Sequence, residues 1–257
     1  MANKRRDDIQ VFYDFCNKIT RCANILFFLN FVVTFSLLYD FEIKIKNILI
    51  VVSIIFNLLY ILVDNLNELY FKNKAENERR KSLIKESYDI EITSKKTNKY
   101  YNNKLGPSTE RLGLNCYESS FFTKEVVKRM ILPEFIKTIL LLLGYIVLLI
   151  EIKELNFILL ITQTIFSTEI LIAFVKIIYY YSQLTKVNNK FHDIFFVQND
   201  SKNIKVQLID ATMDYECLKS FCKISTSSKI FFKINKDVGK KWNYYISKIK
   251  IETSDIQ

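Results

Sequence analysis

The chain has 257 residues, of which 50% are hydrophobic, and its 37 basic and 27 acidic residues give a net charge of +10. Four glycines and two prolines argue against glycine-rich phosphate loops and many-stranded sheets, so long helices are expected. The hydrophobic residues are concentrated in blocks, which predicts an all-α membrane protein in place of one or two soluble domains. The positive charge suits cytoplasmic loops, and it also suits nucleic acid, anionic lipid or an anionic ligand as a partner.

The N-terminal segment, residues 1–22, is polar and basic, with Ile9, Phe12 and Ile19 at helical spacing. This pattern predicts an amphipathic helix at the cytoplasmic face of the membrane. No small-residue cleavage site follows the apolar run that begins near Ala23, so a removable signal peptide is not expected.

Residues 23–63 are predicted to form a first transmembrane hairpin. Its spans are residues 23–39 and 48–63, and a short polar link, residues 40–47, joins them. Such a short link requires the two spans to run antiparallel.

Residues 64–135 are predicted to form a cytoplasmic stalk and insert. Residues 64–89 lack glycine and proline, so the second span should continue as a helix, reaching roughly 39 Å at about 1.5 Å per residue. Asn103, Gly106 and Pro107 mark a turn, and Pro107 suits the first turn of a short helix.

An amphipathic segment is expected from Ser120 onward, with Phe122, Val126 and Met130 on one face. We expect this segment to lie flat against lipid headgroups. Pro133 is predicted to form an elbow between it and the third span, because proline interrupts helical hydrogen bonding.

A second transmembrane hairpin is predicted at residues 136–181. Its spans are residues 136–150 and 157–181, separated only by residues 151–156. The last span carries Glu169 at its middle, where a charge costs on the order of 2.5–3.5 kcal/mol on insertion scales. Such a group is expected to face protein or water and not lipid.

The face that carries Glu169 has a polar character. At 100° per residue, Thr162, Ala173 and Lys176 lie within about 80° of Glu169, and Asn57 in the second span lies at a similar depth. These five residues are the predicted pore or midplane residues, and a ring of such carboxylates would favour cations. The alternative is a neutral Glu169 that bonds Asn57 and holds the helices together.

Residues 182–257 are predicted to form a cytoplasmic helical tail. The fourth helix should continue to about Val197, and two further helices should follow, joined at residues 225–228. The predicted core face of the first consists of Ile209, Met213 and Cys217. The predicted core face of the second consists of Phe231, Ile234, Val238, Trp242, Tyr245 and Ile249.

The distribution of lysine and arginine predicts the topology. The two short links contain only Lys44, Lys46 and Lys153 as basic residues. By the positive-inside rule the N-terminus, the insert and the tail are therefore cytoplasmic, and both termini lie on the same side.

No catalytic or metal site is expected. The sequence lacks the motifs of nucleotide-binding loops, metalloproteases and serine hydrolases. The single histidine, His192, leaves neither a zinc site nor a catalytic triad. Five cysteines without a C-x-x-C pair indicate reduced, structural thiols. We therefore predict that the protein is not an enzyme and needs no cofactor.

A candidate ligand site is a set of basic residues interleaved with tyrosines: Lys95, Lys96, Lys99, Tyr100, Tyr101, Lys104 and Arg111. Such a mixture can bind phosphates and stack on bases, and it can equally be a solvated loop beside acidic lipids. The C-terminal group Lys236, Lys240, Lys241 and Trp242 leaves the same alternatives open.

Between the two predicted hairpins the insert carries Tyr88, Asp89, Tyr100, Tyr101, Asn102, Asn103, Pro107, Ser108, Asn115, Cys116, Tyr117, Glu118, Ser119, Phe121 and Phe122. This stretch and the layout of the spans resemble the four-transmembrane effectors of bacterial anti-phage systems. The resemblance implies membrane disruption in the bacterial inner membrane, controlled by a nucleotide or oligonucleotide signal from a partner nucleotidyltransferase. It assigns no role to any individual residue.

Two classes of function follow from these observations. The first is a homo-oligomeric pore or ion channel, for which we expect a closed ring of four subunits, because four spans are too few to enclose a wide aqueous path. The second is a non-conducting membrane anchor or scaffold that recruits a cytoplasmic partner. A transporter is third, since the glycine- or proline-broken helices of transporter folds are missing.

Overall fold

The computed structural model describes residues 6–37, 39–95, 97–98, 100–101, 103–151, 170–197 and 203–249. Seven α-helices are found in these ranges: α1 (Gln10–Ser36), α2 (Ile43–Leu66), α3 (Asn73–Tyr88), α4 (Thr109–Glu151), α5 (Ile170–Phe196), α6 (Ile204–Cys222) and α7 (Ser228–Ile246). Two-residue strands, β1 (Arg6–Asp7) and β2 (Thr97–Asn98), form one short antiparallel ladder. The predicted all-helical class is confirmed.

Within the described ranges, three helical stretches are long and apolar enough to cross a membrane: Gln10–Ser36, Ile43–Tyr88 and Thr109–Val147. In their most apolar windows only 17%, 6% and 6% of the residues are buried. So much exposed apolar surface requires lipid or another protein to cover it. The predicted fourth span lies largely outside the described residues, so the count of four and the second hairpin stay predictions.

The chain divides into two compact units. We call Gln10–Ala75 with Glu134–Val175 the hairpin unit, and Met1–Ile9 with Glu76–Pro133 and Lys176–Gln257 the core unit. This division differs from the predicted one, which placed boundaries at the ends of the apolar spans.

The hairpin unit is built on α1 and α2, which pack against each other along their lengths. The link between them is shorter than predicted, because α2 already begins at Ile43. At the other end Phe15 meets Phe71 edge-on, with 5.1 Å between the ring centroids. In α1 a single helix contains both the end of the predicted interface helix and most of the predicted first span.

The helix predicted at residues 64–89 is confirmed. After α2 the chain passes through a π-helical turn, Asn67–Lys72, and continues as α3 to Tyr88. Asp89 adopts a left-handed conformation with φ of 55°, which ends the helix. The π-helical turn was not predicted, since sequence patterns do not distinguish it from an α-helix.

Two expectations for α4 concern Pro133 and the segment before it. Pro133 lies inside this helix of 43 residues and does not end it, since proline removes only one main-chain donor and the remaining bonds preserve the helix. An elbow at Pro133 stays a prediction. The segment from Ser120 does not offer its whole apolar face to lipid headgroups, because Val126 on that face is 2% exposed. Phe121 is 6% exposed and packs against Trp242 and Tyr245 at 5.6 Å each.

The centre of the core unit is aromatic. Tyr117 on α4 stacks on Phe191 and Phe195 of α5, with centroids 5.9 and 5.8 Å apart, and meets Trp242 of α7 edge-on at 5.0 Å. Trp242 is 1% exposed. Aromatic pairs of this geometry stabilise a core by about 0.5–1.5 kcal/mol beyond the area they bury. Trp242 is therefore a core residue.

The predicted core face of α6 is wrong. Ile209 and Met213 are 44% and 60% exposed, and Cys217 is exposed as well. The buried face instead consists of Leu208, Ala211, Tyr215, Leu218 and Cys222. The helix carries two apolar stripes, and close packing against Gly113 of α4, together with a hydrogen-bond contact of 3.3 Å between Tyr215 and Thr123, decides which stripe is buried.

The core face of α7 is confirmed at its centre. Ile234, Val238 and Trp242 are buried, and Ser227 caps the helix by accepting a hydrogen bond from the main-chain N–H of Ile230. The link of residues 223–227 agrees with the predicted joint, and α5 ends beside Val197 as predicted. All five cysteines are free thiols.

The tight contact between α4 and α6 gives a first prediction. A Cβ on Gly113 would lie 2.6 Å from Cδ2 of Leu208, whereas a Cβ on Gly239 of α7 meets nothing within 4 Å. Leu208 is completely buried, and its Cγ and Cβ would also lie only 3.1 and 3.2 Å from the added atom, so a change of rotamer alone would not relieve the contact. We expect Gly113→Val to destabilise the core unit by about 1–3 kcal/mol or more through overpacking, measured as a lower thermal midpoint of the full chain in detergent.

The matched control is Gly239→Val, which makes the same change of side chain in a helix without a clash. Its thermal midpoint should stay close to that of the unmodified protein, because valine is no worse than glycine in a helix. Equal midpoints for the two variants would contradict the packing of α4 on α6 described above.

Candidate functional site

The predicted ligand site lies in the core unit, where the insert packs on α3. Arg79 of α3 forms two hydrogen bonds with Asp7, from Nη1 to Oδ1 at 3.1 Å and from Nη2 to Oδ2 at 2.9 Å. Both side chains are mostly buried, at 11% and 15% exposure. A bidentate, sheltered pair of this kind is stronger than an exposed ion pair and fixes the geometry of both groups. It holds the N-terminal strand β1 against α3.

The two tyrosines of the insert lie next to this ion pair. The guanidinium carbon of Arg79 lies 4.4 Å from the centroid of the Tyr100 ring, a cation–π contact. Tyr100 in turn meets the Tyr101 ring at 4.9 Å in an edge-on arrangement. One face of Tyr100 is therefore already covered by a cation of the protein itself.

Tyr101 is held more tightly than Tyr100. Burial raises the pKa of its phenol well above the ordinary value, and Ser119 makes a hydrogen bond with it. Part of the side chain still reaches the surface. Its hydroxyl group thus serves the packing of the insert on α4, and only Tyr100 is placed to meet a ligand without a rearrangement.

A buried polar layer continues from this group along α3. Ser87 donates to the carbonyl of Leu83 at 2.7 Å and accepts from Nδ2 of Asn115 at 3.0 Å, while Asn103 donates to Oδ1 of Asn115. The main-chain N–H of Ser108 donates to the carbonyl of Ser87 at 3.1 Å. Every step satisfies a group that would otherwise be buried without a partner. These bonds fix the insert to α3 and to the start of α4.

Glu86 is the titratable group of this layer. Its carboxylate accepts hydrogen bonds from Thr97 and Ser82. The pKa of Glu86 is raised to about 7, chiefly by burial and to a smaller extent by the charge of Asp7, while the charges of Arg79 and Arg111 act to lower it. The group lies in α3, outside the apolar part of the helix that begins with α2. Near neutral pH Glu86 is therefore close to half protonated.

The remaining predicted ligand residues are dispersed. Lys95 is half-buried, Lys104 is exposed, and Arg111 lies in the first turns of α4, near enough to Glu86 to lower its pKa. Lys96 and Lys99 lie outside the described residues. The structure therefore brings Tyr100 and Tyr101 together beside Arg79 and places Arg111 near Glu86. It does not gather the lysines into one cluster among the residues it describes.

Sequence reasoning missed the three groups at the centre of this site. Arg79 and Asp7 are 72 positions apart, and nothing in the local pattern links them. Glu86 and Arg79 lie in a helix that carries charges all round, which normally indicates a solvated surface. The only available signal was the single acidic pair, Asp7 and Asp8, in an otherwise basic N-terminal segment.

The polar groups of the hairpin unit are paired with one another. Ser53 of α2 donates to Oδ1 of Asn30 at 2.7 Å and lies 3.2 Å from the hydroxyl of Thr34, both on α1. All three are buried. Between apolar helices in a membrane, each such hydrogen bond typically stabilises the association of the two helices by about 0.6 kcal/mol. Asn30 and Thr34 therefore hold α1 and α2 together.

A second polar contact joins the same helices at the π-helical turn. Nδ2 of Asn67 donates to the carbonyl of Cys16 at 3.2 Å and to the hydroxyl of Thr20 at 2.9 Å. Asn67 is completely buried. The π-helical turn thus begins at a buried side chain that bonds α1.

Most of the predicted midplane residues lie beyond the described part of the chain. Glu169 and Thr162 fall within residues 152–169, which are outside it. Ala173 is exposed on α5, Lys176 is half-buried, and Asn57 is half-buried on α2. The predicted grouping of these five residues therefore stays a prediction.

Among the residues that the structure describes, no group of three or more histidine, cysteine, aspartate or glutamate side chains could hold a metal ion. No family model, no curated protein and no solved structure matches this chain. Any function must therefore be argued from its own residues.

The raised pKa of Glu86 gives a prediction with a definite sign. The folded state holds the proton more tightly than the unfolded chain, so this group weakens folding as pH rises from about 4.5 to about 7. After allowance for the partial exposure of Glu86, the free energy of unfolding falls by roughly 2 kcal/mol over this pH range. We expect Glu86→Gln to remove this loss and to raise the thermal midpoint of the full chain at pH 8 but not at pH 5.

The control is Glu91→Gln, which removes an exposed carboxylate that pairs with Lys85 at 2.6 Å. The thermal midpoint of Glu91→Gln should stay close to that of the unmodified protein at both pH values, because an exposed ion pair contributes little to stability. If Glu86→Gln gave the same pH dependence as the unmodified protein, the carboxylate would not be buried as described.

Proposed function

We propose that this protein is a homo-oligomeric, ion-conducting membrane effector that is controlled through its cytoplasmic region by a nucleotide or oligonucleotide signal. In this proposal the chain crosses the bacterial inner membrane four times, with both termini in the cytoplasm. A partner nucleotidyltransferase makes the signal during phage infection, and ion flux arrests or kills the cell. The role is not enzymatic, and four subunits form the ring.

The observation that carries the proposal is the carboxylate of Glu169, the only acidic side chain in the apolar stretch of residues 157–181. Asn30, Thr34 and Ser53 are already bonded to one another. These three groups already have hydrogen-bond partners in each other. Glu169 lies in the middle of another apolar stretch and needs a partner from elsewhere. A carboxylate in that position needs protein, water or a proton as a partner. A water-filled path between subunits supplies one.

Exposed apolar surface supports assembly within the bilayer. In the apolar windows of Ile43–Tyr88 and Thr109–Val147 only 6% of the residues are buried in the monomer. Lipid can cover such faces, and so can neighbouring subunits. A closed ring would place Glu169 of each copy around one axis while apolar faces meet lipid.

The ion pair between Arg79 and Asp7 supports control by an anionic ligand. Arginine binds phosphate in the same two-pronged manner as it binds carboxylate. A phosphate that takes the place of Asp7 at Arg79 would find Tyr100 alongside, since its ring lies 4.4 Å from the guanidinium carbon. Asp7 lies only three residues before the first residue of α1, Gln10. Release of Asp7 would therefore free the segment that leads directly into the first span.

A membrane anchor or scaffold is the second candidate, and one observation favours it. The bonds of Ser53 with Asn30 and Thr34 lie between two helices of one chain and leave no polar group of that set to line a path. A hairpin of this kind is a sufficient anchor for the core unit. The two candidates differ in whether Glu169 affects ion flux.

Ion flux through liposomes that contain the purified full chain tests the conducting role. We expect signal-dependent cation flux, and we expect Glu169→Gln to change the flux or its ion preference while the protein still inserts at normal levels. Thr164→Val is the control: helical spacing predicts that this polar residue lies on the face opposite Glu169, so the variant should conduct as the unmodified protein does. Unchanged flux and preference in Glu169→Gln would favour the anchor.

A separate prediction tests control through Arg79. Asp7→Asn weakens the ion pair and should leave the pore open without a signal, giving a flux that a panel of mono-, di- and trinucleotides no longer increases. The matched control is Asp14→Asn, which removes an exposed carboxylate of α1 that accepts a hydrogen bond from Gln10. If Asp7→Asn stayed closed and responded normally, the ion pair would be structural only.

A further inference from the structure

The outer face of α7 carries a row of lysines. Lys229, Lys233, Lys236 and Lys240 are all exposed and lie within about 60° of one another around the helix. We call these four residues the lysine face. With one lysine per turn of about 5.4 Å, the row extends about 16 Å along the helix. Lys241 and Lys248 lie beside it and are exposed as well.

This charge is almost uncompensated by acidic groups. The only acidic residue of α7 is Asp237. Among the ion pairs between described residues, none involves a lysine of the lysine face. Three other lysines of the core unit, Lys85, Lys190 and Lys219, do pair with acidic groups, at 2.5–2.9 Å.

The row is held in a fixed orientation. The opposite face of α7 buries Ile234, Val238 and Trp242, each at 1–2% exposure. Rotation of the helix would expose these residues and is therefore strongly disfavoured. The lysine face consequently always points to the surface of the core unit.

Two large aromatic side chains border the row. Phe232 is 75% exposed and Tyr244 is 57% exposed, on opposite sides of the lysine face. Lysines with aromatic residues beside them are typical of helices that lie at a membrane surface, where the lysines meet anionic headgroups and the rings enter the headgroup region. The face is the convex outside of a helix, whereas proteins that hold single-stranded nucleic acid usually provide a groove.

We propose that the lysine face binds the anionic headgroups of the bilayer in which the protein is embedded, with Phe232 and Tyr244 inserted beside them. This contact needs membrane association of the chain, which its exposed apolar helices support, and it does not depend on ion conduction. Because the chain is tethered to the same bilayer, weak headgroup contacts act at a high effective concentration. The lysine face would thus hold the core unit to the membrane surface in a charge-dependent way.

The experiment uses the full chain in nanodiscs of phosphatidylcholine alone, or of phosphatidylcholine with phosphatidylglycerol. Amide hydrogen exchange of residues 228–249 is measured in both. We expect slower exchange with the anionic lipid, and loss of this difference when salt is raised from about 0.15 to about 1 M, because the Debye length falls from about 8 to about 3 Å. This arm needs no variant, so misfolding cannot affect it.

The matched variants separate the lysine face from net charge. Lys233→Gln, Lys236→Gln and Lys240→Gln together should weaken the docked state on the order of 100-fold and abolish the lipid-dependent protection. The control triple, Lys128→Gln, Lys186→Gln and Lys205→Gln, removes the same charge from other exposed positions. This control should retain the lipid-dependent protection of residues 228–249. Fluorescence of Trp242, the single tryptophan, reports that the core around α7 is intact in both.

Three results would overturn the proposal. The first is equal exchange of residues 228–249 in neutral and anionic nanodiscs. The second is loss of protection in both triple variants alike, which would indicate a general charge effect. The third is binding of a fluorescent single-stranded oligonucleotide that depends on Lys233, Lys236 and Lys240 without any lipid-dependent protection, which would make this face a nucleic-acid surface.

Discussion

The sheltered ion pair between Arg79 and Asp7 is the contact on which the arrangement of the insert depends. It joins residues 72 positions apart and ties β1 to α3, while Tyr100 covers the guanidinium and β2 pairs with β1. Removing one member of a sheltered pair leaves the other charge without a partner, which costs more than the pair contributes. The same bonds fix the orientation of the Arg79 guanidinium, and the proposed control by an anionic ligand depends on that orientation.

The two units use polarity in opposite ways. In the hairpin unit, polar side chains such as Asn30 and Asn67 are buried between helices and bonded, and the outside is apolar. In the core unit the inside is aromatic around Tyr117 and Trp242, and the outside carries charge. This contrast is what a bilayer requires of one part and water of the other, because lipid offers no hydrogen bonds to an exposed polar group.

The sequence alone determined the helical class, the apolar stretches and several helix ends. Length and composition identify an apolar run such as residues 48–63 without any knowledge of its neighbours, since the hydrophobic thickness of a bilayer sets the length of a span. The end of α3 near Asp89 and the buried face of α7 followed from local patterns in the same way. One clear apolar stripe, as on α7, leaves no choice of face.

Only the tertiary structure decided what depends on distant partners. The helix α6 has two apolar stripes, one with Leu208 and one with Met213. The stripe with Leu208 is buried, because Gly113 on α4 has no side chain and leaves room for Leu208 to pack closely against it. Pro133 stays within a helix although its local preference is to end one, because the long helix retains its other hydrogen bonds. The pairing of Arg79 with Asp7 and the raised pKa of Glu86 arise from burial among segments far apart in the chain. Burial of that kind is a property of packing, and no local sequence pattern encodes it.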